Sequence, residues 1–172
     1  AFHPYGYSPF VADLTPFLRE GENALRVVCN TQMQPASRWY TGSGLYRDVE
    51  LLTGPKVCIP VWGVCVRTLS IENGIARMWA QVQVLGGAGC VYACVRSPEG
   101  NSVIEMRREA AQGRAEFVWG LPANQLWTAE TPFLWRFEAR VEAEDGSIDA
   151  ESVRFGIRTI AADPEKGLLV NG

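Results

Sequence analysis

The chain has 172 residues, of which 47% are hydrophobic and 20% charged, with six Trp, so it can bury a core and is not of disordered composition. Sixteen Lys and Arg stand against 19 Asp and Glu for a formal net charge of -3. No basic run is dense enough to grip a phosphate backbone, and no apolar stretch approaches the roughly 18 residues that span a bilayer, which excludes nucleic-acid and membrane partners at this level.

The first 54 residues open on the aromatic, Pro-rich HPYGYSPF, which lacks the basic and apolar regions of a signal peptide. His3, the single histidine, lies here among Pro4, Tyr5 and Tyr7. A Ser-His-Asp site has no Gly-x-Ser-x-Gly elbow to support it, so a loop residue is the favoured reading. In ADLTPFLREGEN a turn over Asp13 to Pro16 leads to a short apolar segment closed by Gly21. A strand is expected from Ala24 and another over 45–52, the latter preceded by Gly42, Ser43 and Gly44 in close backbone packing. Thr53-Gly54-Pro55 marks a domain boundary.

Beyond it, period-two patterning dominates. Strands are expected over 57–69, 89–96, 113–119 and 147–157. In IARMWAQVQV the set Ala76, Met78, Ala80, Val82, Val84 shares the core face, and in FLWRFEARVEA the set Phe133, Trp135, Phe137, Ala139, Val141 does so. Turn signals fall at Glu72-Asn73-Gly74, Leu85-Gly86-Gly87, Ser97-Pro98-Glu99-Gly100 and Glu144-Asp145-Gly146-Ser147. The segment 104–112 reads as either a strand or a short helix. Several short strands joined by compact turns, with no crossover helices, define an all-β class: an immunoglobulin-like β-sandwich over 55–158, preceded by the end of a separate sandwich over 1–54.

Five cysteines form no paired C-x-x-C spacing. Cys90 and Cys94 fall on one strand face beside Tyr92, and buried free thiols are favoured there over a metal or redox site. Trp119 and Trp135 lie on apolar strand faces and read as core, while Trp127 is less constrained. Glu142, Glu144, Asp145 and Asp149 gather around one turn, where solvent holds them in their ordinary charge state, so none is assigned a catalytic role. No metal site and no cofactor are assigned.

Several segments in order resemble glycoside hydrolase family 2, the β-galactosidases, β-glucuronidases and β-mannosidases. GYSPFVADLTPFLREGENALRVVCN and SRWYTGSGLYRDVELL look like the final part of that family's sugar-binding jelly-roll. LWTAETPFLWRFEARV is similar to its immunoglobulin-like domain, and Phe155-Gly156-Ile157-Arg158 and Leu169-Val170-Asn171-Gly172 resemble the exit toward its catalytic barrel, with Ile157 where many members carry another residue. The resemblance implies residues 1–54 as the C-terminal part of the jelly-roll, 55–158 as the immunoglobulin-like sandwich and 159–172 as the lead-in to a (β/α)8 barrel absent from this chain. The missing initiator Met and the LLVNG ending fit the expectation of a piece of a longer protein.

It further implies retaining hydrolysis of β-glycosides by two barrel glutamates of the full-length parent, with a β-galactosidase as the favoured member and with carbohydrate and the parent's own barrel as partners. The piece itself is expected to be inactive. Arg38, Trp39 and Tyr40, in the loop 37–43, are the candidate sugar contacts: two flat apolar rings and a guanidinium able to donate to hydroxyl or carboxylate oxygens. Packing of Arg38 and Trp39 between domains is the competing reading. A stand-alone carbohydrate-binding or adhesive module is the alternative from another class. Substrate identity, oligomeric state and localisation, whether bacterial cytoplasm or export, are left open by the sequence.

Overall fold

The computed structural model describes residues 1–30, 32 and 44–172. They divide into two units, Ala1–Leu52 and Thr53–Gly172. Arg38, Trp39 and Tyr40 lie outside the described residues.

The described part of Ala1–Leu52 contains a 3-10 turn, Thr15–Phe17, and no strand. Pro16 suits that turn because its missing N–H would have no helical partner there. Asp13 Oδ1 accepts the Thr15 N–H at 2.9 Å, which with the Thr15 side chain holds this carboxyl below its usual range. Asn23 closes the following bend, accepting from Arg19 N and donating to Arg19 O and Gly21 O. The strands expected from Ala24 and over 45–52 do not form. A strand persists through a ladder to a neighbour, and here Leu25, Val28, Leu51 and Leu52 stay exposed with no paired strand among the described residues.

The second unit is a two-sheet sandwich. Its first seven strands are β1 (Val64–Glu72), β2 (Ile75–Gln83), β3 (Gly89–Arg96), β4 (Ser102–Glu109), β5 (Arg114–Pro122), β6 (Trp135–Ala143) and β7 (Ile148–Phe155). One sheet runs β1-β2-β5 and the other β4-β3-β6-β7, with antiparallel pairing throughout. A two-stranded ribbon, β8 (Ile160–Asp163) with β9 (Gly167–Val170), follows.

Alternation makes each strand two-faced, and the inner faces meet. Ala76, Met78, Ala80 and Val82 of β2 and Phe117, Trp119 and Leu121 of β5 are buried, as are Val91 and Val95 of β3 and Trp135, Phe137 and Val141 of β6. Phe137 stacks 5.5 Å from Trp119 and meets Phe117 edge-on at 6.0 Å, joining the two sheets through aromatic contact. Phe133, expected in this core, precedes the strand and is 37% exposed.

The ambiguous 104–112 segment is largely strand, at the edge of the larger sheet. Ile104 and Met106 pack on the core, while Glu105 and Arg107 stand opposite Cys94 and Tyr92. Asn73 and Gly74 turn β1 into β2 with φ of 49° and 75°, a left-handed pair that Asn and Gly tolerate best. Gly86 has φ 83°, and a Cβ there would come within 1.8 Å of the Lys56 carbonyl oxygen, so no other residue fits this approach.

Candidate functional site

The acidic residues gathered near the β6–β7 turn separate in space by task. Asp149 Oδ2 accepts the Ile59 N–H at 2.8 Å, tying the segment before β1 to β7. Asp145 Oδ1 accepts the Ser147 N–H at 2.9 Å, and this turn bonding, led by the Ser147 side chain, lowers its pKa. Glu142 lies 3.6 Å from Arg140 on the outer sheet face, and Glu144 is exposed. Among the described residues no group of three or more His, Cys, Asp or Glu could hold a metal ion. No described helix is long and apolar enough to cross a membrane.

His3 Nε2 lies 3.0 Å from Ser8 Oγ, and its ring stacks on Phe10 at 4.8 Å. It is a packed loop side chain. The thiols require a correction: Cys90 and Cys94 share a face beside Tyr92 as read, but it is the outer, half-buried face rather than the core. Cys90 Sγ accepts from Arg107 Nε at 2.8 Å, and Cys94 Sγ lies 3.3 Å from Ser102 Oγ. Val91, Ala93 and Val95 take the core positions, and because alternation alone assigns no face, small thiols suit either one.

Trp119 and Trp135 are core residues, 7% and 6% exposed. Trp127 is half-buried in a clasp where the chain leaves the sandwich. Its indole lies under the Arg158 guanidinium, 4.4 Å from the ring centroid, and the Trp127 backbone N–H donates to Ile157 O at 2.9 Å. Gly156 has no room for a side chain, since a Cβ would sit 2.5 Å from the Trp127 Cβ. Asn171 completes the clasp: Nδ2 donates to Trp127 O at 3.0 Å, Oδ1 accepts from Thr159 N at 3.1 Å, and its own N–H donates to Thr159 O at 3.0 Å. Arg158 N–H also reaches Thr68 Oγ1 at 3.3 Å. The sequence placed 155–158 and 169–172 in one exit motif, but the bonds that tie Asn171 to Trp127 and Thr159 follow only from the fold.

The outer face of β4-β3-β6-β7 is polar and aromatic. Tyr92 receives Arg140 at 4.8 Å and Arg107 at 5.6 Å, and Arg96 pairs with Glu138 at 2.8 Å. A groove of about 550 Å³ runs beside Tyr92, Cys94, Glu105, Glu138 and Arg140.

By its seven alternating strands in two sheets, the second unit is an immunoglobulin-like β-sandwich. Residues 91–158 match the family described as glycosyl hydrolases family 2. The chain is 35% identical to the β-galactosidase BoGH2A of Bacteroides ovatus, over 98% of this chain and 21% of that protein. It is 27% identical to a β-glucuronidase of Bacteroides fragilis, over 99% of this chain and 27% of that protein. A solved β-glycosidase from Bacteroides vulgatus matches in fold with a TM-score of 0.67 and 22% identity, over 78% of this chain and 18% of that one. Together these relate the chain to glycosyl hydrolases family 2, and it spans only about a fifth to a quarter of the length of those curated relatives.

Proposed function

We propose that this chain is a non-catalytic β-sandwich region of a glycoside hydrolase whose full-length form cleaves β-glycosides with retention, a β-galactosidase foremost. The observation that carries this reading is the match along 98% of the chain to a protein named as a β-galactosidase, of which it covers 21%. Retention requires two carboxyls about 5–5.5 Å apart across the scissile bond. The carboxylates that sequence reading grouped together are instead committed one by one, Asp149 to a backbone N–H, Asp145 to its turn and Glu142 to Arg140.

What the sandwich offers is rigidity at both of its ends. Asp149 fastens the incoming segment at Ile59, and Asn171 fastens the outgoing ribbon at Trp127 and Thr159. Such clasps suit a spacer that fixes the direction of the chain into a neighbouring catalytic barrel. In the same reading Arg38, Trp39 and Tyr40 contribute to sugar contact at the rim of that barrel.

The test is an assay of the purified 172-residue chain on aryl β-galactoside and aryl β-glucuronide. The expected result is no turnover above a mock preparation. Turnover that survives repurification would overturn the non-catalytic assignment. Saturable sugar binding by this chain alone, lost in Trp39→Ala, would favour a carbohydrate-binding module instead.

A further inference from the structure

Three arginines stand in one row across the larger sheet. Arg96 of β3 is directly opposite Arg136 of β6, which is directly opposite Arg154 of β7. Each alternates with buried neighbours, Val95, Trp135 with Phe137, and Phe155, so all three occupy the outer face. Directly opposed side chains on antiparallel strands start about 4.5–5.5 Å apart at Cβ, where like charges are unfavourable.

Their charges are balanced unequally. Arg96 is held by Glu138 at 2.8 Å and donates to Gly100 O at 3.4 Å. Among the described residues, Arg136 and Arg154 make no ion pair. The row borders a concavity of about 500 Å³, whose further lining comes from Leu134, Trp135 and the turn residues Ser97, Pro98 and Gly100. Its charged lining is therefore three guanidiniums against the single carboxylate of Glu138.

We propose that this concavity binds an oxyanion, a carboxylate or sulfate group, bridged between Arg136 and Arg154. The planar guanidinium fork matches two oxygens of such a group, and an anion placed between the two cations removes their mutual repulsion. Arg96, already fixed by Glu138, supplies the positive wall of the site. The shared chemistry admits two sources, a free inorganic anion or an acidic group carried on a sugar.

The experiment titrates the 172-residue chain with sodium sulfate, sodium glucuronate and, as an uncharged control, galactose. Sodium chloride holds ionic strength constant, because exposed charges are screened by salt. Arginine side-chain N–H and backbone shifts are followed by NMR. Saturable shifts are expected at Arg136 and Arg154 with at least one anion and none with galactose.

Exposed charge pairs contribute about 0.2–1 kcal/mol, so Arg136→Gln and Arg154→Gln should each weaken binding about 1.4- to five-fold, and the double variant should lose it. Arg136→Lys, which keeps the charge but not the fork, should fall between, and Arg77→Gln on the other sheet should change nothing. Tighter binding of glucuronate identifies a sugar-borne carboxylate, and equal or tighter binding of sulfate a free oxyanion. Shifts that grow linearly with anion, or that persist unchanged in the double variant, would overturn the proposal.

Discussion

Phe137 is fully buried between Trp119 and Phe117, so replacing it with Ala removes the ring that connects the two sheets. Phe137→Ala should cost about 3–5 kcal/mol in chemical denaturation, the usual range for a core aromatic; a loss below 1 kcal/mol would mean that the sheets do not pack through it. Cys58 gives a second prediction. Burial raises the pKa of its thiol, and the nearby Asp149 charge adds to the shift, so the protonated form is favoured in the fold. The stability linked to that proton is present below the ordinary thiol range and is lost as pH rises through the raised value. Alkylation of Cys58 should therefore reach half its maximal rate at a higher pH than that of a free thiol, and Asp149→Asn should move it down. A Cys58 profile matching that of a free thiol would contradict this. The burial of Phe137 was legible from its alternation with Arg136 and Glu138. The bond from Asp149 to Ile59 was not, because it joins residues 90 apart in sequence that local patterning cannot relate.

The ribbon β8-β9 depends on side chains at both of its ends. At its turn Asp163 Oδ1 accepts Lys166 N at 2.8 Å and Glu165 N at 2.9 Å, and these bonds hold the carboxyl below its usual range. A depressed folded pKa contributes stability above the unfolded value and loses it as pH falls through the folded one. Amide exchange in 160–170, corrected for its intrinsic pH dependence, should thus lose protection at acid pH. Asp163→Ala should lose it already at neutral pH, and Asn171→Ala should do the same from the other end. Unchanged protection in both variants would show that the ladder alone holds the ribbon. Six of the seven sandwich strands were legible because period-two alternation and Gly- or Asn-bearing turns coincide, as at Asn73-Gly74, while β4 read equally as a strand or a short helix. The expected strands of the first unit failed for the converse reason: alternation in NALRVVCN supplies a face but not the neighbouring strand that a ladder needs. The arginine row was illegible for a related reason, since it exists only in the register of three separate strands.

At the scale of the whole molecule, the second unit is an all-β sandwich with a clasp before its first strand and another beyond its last, which supports the proposed spacer role. The chain's relation to glycosyl hydrolases family 2, over a limited share of the relatives' length, is why the chemistry is proposed for a longer parent. The sugar contacts expected at Arg38, Trp39 and Tyr40 rest on residue type alone and lie outside the described residues, and a retaining centre is made by the distance between two carboxyls, which no local motif in this chain encodes. The most direct measurement is to read the source gene through the codons after Asn171-Gly172. Alternating strand and helix segments carrying two glutamates at strand ends are the predicted result. A stop codon in that position, or a further sandwich with no barrel, would contradict the account.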